Sequence, residues 1–255
     1  MSGIFDTHAH FDDEQFDEDR GALLSSFSQN GVDYVMNCAT NPASIQSTLQ
    51  LAHDYDFIFA AVGLHPEDLN GLSLEETERV KALAQQESKV KAIGEIGLDY
   101  YWKVVPREKQ LVFFERQLEI AQEIDLPVIV HDREAHEDTY ALLLKHKPQG
   151  VLHCYSGSAE SAQAMLDIGF YFGFGGALTF KNNKRGVRAA RVIPIERILL
   201  ETDAPYMAPT PYRGKRNDST LIRFVAEKLG EIKGLETEEV IDICHQNAKK
   251  LFRIG

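Results

Sequence analysis

The chain has 255 residues, 44% hydrophobic and 26% charged, a composition that suits one soluble globular domain spanning residues 1–255. No apolar run approaches the roughly 20 residues that cross a bilayer, and the opening residues lack the basic-then-apolar pattern of a secretory leader. A formal net charge of −12 excludes a protein that grips nucleic acid through a broadly basic surface, though not one with a local basic patch.

Short apolar runs alternate with amphipathic stretches from end to end. Strands are predicted at 4–5, 34–38, 57–62, 90–96, 128–130, 151–153, 171–174 and 198–200. Helical periodicity fills the gaps at 44–53, 74–87, 107–124, 135–146, 159–168, around 185–192, and at 220–230 and 237–252. Eight strands alternating with helices predict a parallel sheet covered on its outer face. An open doubly wound sheet would share that alternation. A closed α/β barrel, the (β/α)8 TIM barrel, is favoured by where the chemically able residues fall.

They fall at strand ends. His8 and His10 lie two apart on an extended segment, so both imidazoles face the same side. Glu95 sits in Gly94-Glu95-Ile96-Gly97, where burying an acid is costly unless it is paired or metal-bound. His131 follows the apolar run 127–130, His153 follows Val151-Leu152, and Asp203 closes the eighth strand. In a barrel these ends meet at one mouth, where active sites lie. Four histidines and two carboxylates exceed the needs of one tetrahedral ion. Two divalent cations about 3.5–4 Å apart would use them all and would activate a water for hydrolysis. Imidazole-rich sites suit Zn²⁺, Ni²⁺ or Mn²⁺, whereas Mg²⁺ prefers oxygen ligands.

Cys38, Cys154 and Cys244 are odd in number and show no CxxC spacing, which points to free thiols and a cytoplasmic location. Cys154 neighbours His153 but faces the opposite side of its strand, so it is expected to pack rather than ligate. Lys181, Lys184, Arg185, Arg188 and Arg191, with Arg213, Lys215 and Arg216, are candidates for a local phosphate-binding patch.

At these residues the sequence closely resembles the TatD-type deoxyribonucleases of the amidohydrolase superfamily. The likeness rests on Asp6-Thr7-His8-Ala9-His10-Phe11-Asp12, Gly94-Glu95-Ile96-Gly97-Leu98-Asp99-Tyr100, His131-Asp132-Arg133, His153-Cys154-Tyr155-Ser156-Gly157, Glu201-Thr202-Asp203-Ala204-Pro205 and Asn247-Ala248-Lys249-Lys250-Leu251-Phe252. It implies a metallo-dependent hydrolase acting on DNA, from an end or on single strands, with no obligate protein partner. His8, His10 and Asp203 would hold one ion, His131 and His153 the other, with Glu95 bridging and Asp203 also acting as general base. It further implies His65 and Arg133 as substrate contacts, with His65 equally able to serve as a hydrogen-bond partner behind the ligands, and Glu201 and Asp6 as groups that orient the ligands. The family commonly has Glu-Pro where this chain has Asp218-Ser219, which puts the loop before the last helices in question. The same metal machinery would also hydrolyse a small phosphoester, lactone or amide.

Overall fold

The computed structural model describes residues 2–255. Eight strands are hydrogen-bonded in chain order, every neighbouring pair parallel. They are β1 (Ile4–Ala9), β2 (Val32–Cys38), β3 (Ile58–Val62), β4 (Val90–Asp99), β5 (Val128–Arg133), β6 (Gly150–Leu152), β7 (Tyr171–Phe174) and β8 (Ile198–Leu200). A parallel bridge from Ala9 to Ala204 closes the last edge on the first, with His10 N–H donating to Ala204 O at 2.8 Å and Asp203 N–H to His8 O at 2.9 Å. The predicted TIM barrel is the observed architecture.

The helices around it are α1 (Arg20–Ser26), α2 (Pro42–Asp54), α3 (Glu75–Gln86), α4 (Arg107–Glu123), α5 (His136–His146), α6 (Ala159–Asp167), α7 (Lys184–Val192), α8 (Ile222–Lys233) and α9 (Thr237–Phe252). Helix α1 has no counterpart among the predicted helices; it is short, and no side chain caps its start. Among the described residues no helix is long and apolar enough to cross a membrane.

Side chains from every strand, Phe5, Met36 with Cys38, Ala61, Ala92, Ile129, Val151, Tyr171 and Leu199, join a buried cluster filling the barrel. Helix α9 packs Ala248, Leu251 and Phe252 against it. Strand side chains alternate between faces, so the next inward positions are His131 after Ile129, His153 after Val151 and Glu201 after Leu199. Two bulges supply the remaining inward groups. Ile93 and Ile96 of β4 pair with Val128 and Val130 of β5, so β4 carries one extra residue there. Asp6 and Ala9 of β1 likewise pair with Val35 and Asn37 of β2. An extra residue flips the parity of the strand beyond it, and Glu95, His8 and His10 thereby turn inward.

Asp6 lies at the seam between first and last strands and is fully buried. Its Oδ1 accepts the Thr202 N–H at 3.0 Å and the His8 N–H at 3.3 Å; its Oδ2 accepts the Thr202 and Ser219 hydroxyls, both at 2.7 Å. Asp6 therefore orients backbone and seam hydroxyls and makes no bond to a histidine ring. The unusual Asp218-Ser219 pair has a local logic. Asp218 accepts from Thr220 N–H at 2.9 Å and caps the turn Ser219–Leu221 before α8, while Ser219 supplies the bond to Asp6. Replacing Asp6 with alanine strands four buried donors and should cost about 3–5 kcal/mol. Thermal unfolding would read this as a Tm lower by several degrees; an unchanged Tm would mean that closure depends on other contacts.

Candidate metal centre

Six side chains from the ends of five strands meet, with Glu95, only 3% exposed, at their centre. Its Oε2 lies 3.2 Å from His8 Nε2 and 3.6 Å from His10 Nε2. Its Oε1 lies 2.8 Å from His131 Nδ1 and 3.0 Å from His153 Nε2. Each carboxylate oxygen thus addresses a separate histidine pair. Asp203 completes the first group, with Oδ1 at 3.5 Å from His10 Nε2 and 3.8 Å from His8 Nε2. It sits just past β8 at φ 59°, a left-handed conformation that Asp tolerates better than most residues.

The far nitrogens of His8, His10 and His131 are held in place. His10 Nδ1 meets the Cys38 carbonyl at 2.7 Å. A carbonyl can only accept, so Nδ1 carries a proton and Nε2 is the nitrogen left to face a cation. His131 Nε2 is 3.1 Å from Asp99 Oδ2, and His8 Nδ1 is 3.5 Å from Cys38 Sγ. The inward-facing nitrogens crowd together: His8 and His10 Nε2 are 3.1 Å apart, and His131 Nδ1 and His153 Nε2 are 3.4 Å apart. Such a donor set, two carboxylates among fixed imidazoles, fits divalent cations.

Charge points the same way. Burial would raise Glu95, but His153, His8, His65 and His131 hold it well below the usual carboxylate range. Burial would likewise raise Asp203, but His10, His153 and His8 keep it below its ordinary value. Burial would lower His10 and His131, yet the neighbouring acids pull His10 up to about 9 and His131 up to about 10. His8 goes the other way, to about 4, through burial and the charge of His153. The cluster gathers positive charge around two anions, the place that cations would take with release of protons.

His65 joins this group. Its Nε2 is 3.5 Å from Glu95 Oε1, while Nδ1 accepts the Glu67 N–H at 3.3 Å. Arg133 lines the same cavity, of about 690 Å³. Its guanidinium carbon lies 4.1 Å over the Tyr101 ring. Glu201 approaches His153 Nδ1 at 3.7 Å, outside hydrogen-bond range. His153 Nδ1 and Glu201 Oε2 are the buried side-chain polar atoms without a partner among the described residues. Burial raises Glu201 to about 8 against the pull of His153 and the Cys154 N–H. Cys154 belongs to none of the potential ligand groups found among the described residues.

The predicted basic patch divides. Lys181, Lys184 and Arg188, joined by Lys228, line a separate cavity of about 490 Å³ whose described lining holds no carboxylate. Arg213 stacks 4.2 Å over Phe180 in the same wall. Arg216 is committed elsewhere, its guanidinium bonded to Asp19 at 2.6 and 2.8 Å. Arg185 and Arg191 lie outside that lining, and Lys215 sits 5.8 Å from the Tyr212 ring. Sequence reasoning missed the role of Asp99, although it stands four residues beyond Glu95 on the same strand and repeats the signal of an acid at a strand end. Nothing in the sequence marked the Cys38 carbonyl.

The family described as TatD related DNase matches residues 5–253. This chain belongs to the TatD-related DNase family. It is 39% identical over 255 residues to the uncharacterized metal-dependent hydrolase YabD of Bacillus subtilis, covering 99% of this chain and 100% of that one. It is 32% identical to the 3'-5' ssDNA/RNA exonuclease TatD of Salmonella typhimurium, across 98% of this chain and 99% of the relative. The crystal structure of YjjV, a TatD homologue from Escherichia coli, matches with a TM-score of 0.91 at 32% identity, over 99% of this chain and 98% of the other. Like its TatD-family relatives, the chain is a metal-dependent hydrolase, and the histidine–carboxylate cluster is its candidate metal centre.

Proposed function

We propose that this TatD-family hydrolase cleaves DNA phosphodiester bonds, from a chain end or in unpaired segments, using two divalent cations at the histidine–carboxylate centre. The observation that carries this reading is the double address of Glu95: one oxygen toward His8 and His10, the other toward His131 and His153. Bound there, a cation pair would bring a water's pKa to roughly 7 and neutralise charge on the phosphoryl oxygens. His8, His10 and Asp203 would hold one ion, His131 and His153 the other, and Glu95 both. Asp203, the most open of these acids with a side chain 20% exposed, accepts the water's proton. Arg133 and His65, on the wall of the same cavity, are placed to contact the phosphate.

A concave cavity of about 690 Å³ suits a flexible chain end better than stiff duplex. The name of the Salmonella relative, a single-strand exonuclease, supports the same choice, and the basic cavity around Lys181 offers a second hold on the backbone. A small uncharged ester is the second reading, favoured by the acids Asp12, Asp13, Glu67 and Asp68 on the cavity wall. Purified protein with Mg²⁺, Mn²⁺, Zn²⁺ or Ni²⁺ should shorten end-labelled single-stranded DNA, duplex more slowly, and stop when a chelator is added. Chelator-sensitive hydrolysis of small esters with no loss of DNA at any metal would overturn the nuclease reading.

A further inference from the structure

Outside the ligand cluster, the rim of the same cavity carries an aromatic shelf. Tyr101 and Trp102, just past β4, are 47% and 54% exposed. Leaving a large apolar ring in water usually marks a binding surface when it borders a cavity, and Trp102 lines this one. The shelf is not loose. Asp99 Oδ1 accepts the Tyr101 N–H at 2.9 Å and the Trp102 N–H at 3.0 Å, while its Oδ2 meets His131 Nε2 at 3.1 Å. One carboxylate therefore sets both the aromatic loop and an imidazole that faces Glu95.

The rings stand edge to face, centroids 4.9 Å apart at 84°. The Arg133 guanidinium lies 4.1 Å over Tyr101 and 5.4 Å from the Trp102 centroid. A rigid indole backed by a cation, beside a centre that would hold a phosphodiester, matches a ligand with a flat π face tied to an anion. An unpaired nucleotide is such a ligand. A paired base inside a duplex is not, because both its faces are already covered by its neighbours.

We infer that Trp102, supported by Tyr101 and Arg133, is a stacking platform for an unpaired nucleobase next to the scissile phosphodiester, and that it sets a preference for single strands. This inference rests on the nuclease reading above and adds to it a specificity-determining residue. It acts through binding of the strand, not through the reacting atoms.

Trp102 is the one tryptophan of the chain, so intrinsic indole fluorescence reports on this position alone. With Mg²⁺ present, a short phosphorothioate-linked oligothymidylate should quench it, and an oligomer of equal length built from abasic units should not. Trp102→Ala should lower kcat/KM on single-stranded DNA by roughly 5- to 150-fold and narrow the gap between single strand and duplex. Trp102→Phe should keep most of the preference. The side chain is exposed, so circular dichroism and metal content should match wild type. Equal quenching by the abasic oligomer, or DNA cleavage that Trp102→Ala leaves unchanged, would overturn the platform while the nuclease reading stood. Quenching by a small aromatic ester alone would assign the shelf to a different substrate. Wild-type protein that cleaves no DNA would remove the nuclease reading and the platform with it.

Discussion

Glu95→Ala should bring hydrolysis close to background, with kcat/KM lower by roughly 10³-fold or more, and the protein should purify with little bound metal. The reason is electrostatic as well as geometric. Five imidazoles, those of His8, His10, His65, His131 and His153, face this one buried carboxylate within 3.6 Å. Without it, His8 and His153, whose rings already stack at 3.9 Å, would border a gap where the central anion had stood. The pull that raises His10 and His131 would weaken, so protons and cations alike would lose their place. Glu95→Gln keeps the shape and removes the charge, so it separates the two effects. Its metal content by elemental analysis should fall nearly as far as that of Glu95→Ala. A Gln variant that holds wild-type metal and keeps most of its activity would show that Glu95 does not bridge.

Much of this centre was legible in the sequence because a parallel barrel places strand ends by rule. His131 and His153 each follow an apolar run, and alternation turns both inward in register with Ile129 and Val151. His8 and His10 were readable as a same-face pair at i and i+2. What stayed hidden depends on contacts that periodicity does not encode. Strict alternation from Ala92 would send Glu95 outward; it faces the cluster only because β4 carries an extra residue between Ile93 and Ile96. No pattern in β1 announces a matching bulge. Asp6 was expected to orient ligands; it holds the His8 backbone N–H, and its other partners are the Thr202 N–H and the Thr202 and Ser219 hydroxyls, more than 190 residues away in the chain. Its work is at the seam. Asp99 and Trp102 gain their meaning from one shared carboxylate contact, which only the folded chain reveals. Helix boundaries moved by one to three residues, in places because of caps, as at α2, which begins at Pro42 because Asn41 accepts from the Ala43 and Ser44 N–H groups.

Asp203→Asn should lower kcat by about 10²- to 10⁴-fold, the range typical for loss of a general base, with a much smaller change in KM. Asn keeps the volume and one oxygen toward His10 Nε2, now 3.5 Å from Oδ1, but it cannot take a proton. The backbone should tolerate the change, since Asn adopts the left-handed conformation found here as readily as Asp does. Metal analysis then separates the two roles assigned to this residue. A variant that retains its metal yet loses turnover argues for proton transfer; one that loses one ion of the pair argues for ligation first. The pH profile adds an independent check. His10, His153 and His8 hold the Asp203 carboxyl below its ordinary value against the opposing effect of burial, so the wild-type base stays ionised throughout the neutral range. An acid limb near pH 6 therefore has a source other than Asp203, and Asp203→Asn should lower the whole profile without moving that limb. A variant with wild-type kcat at neutral pH would remove Asp203 as the base.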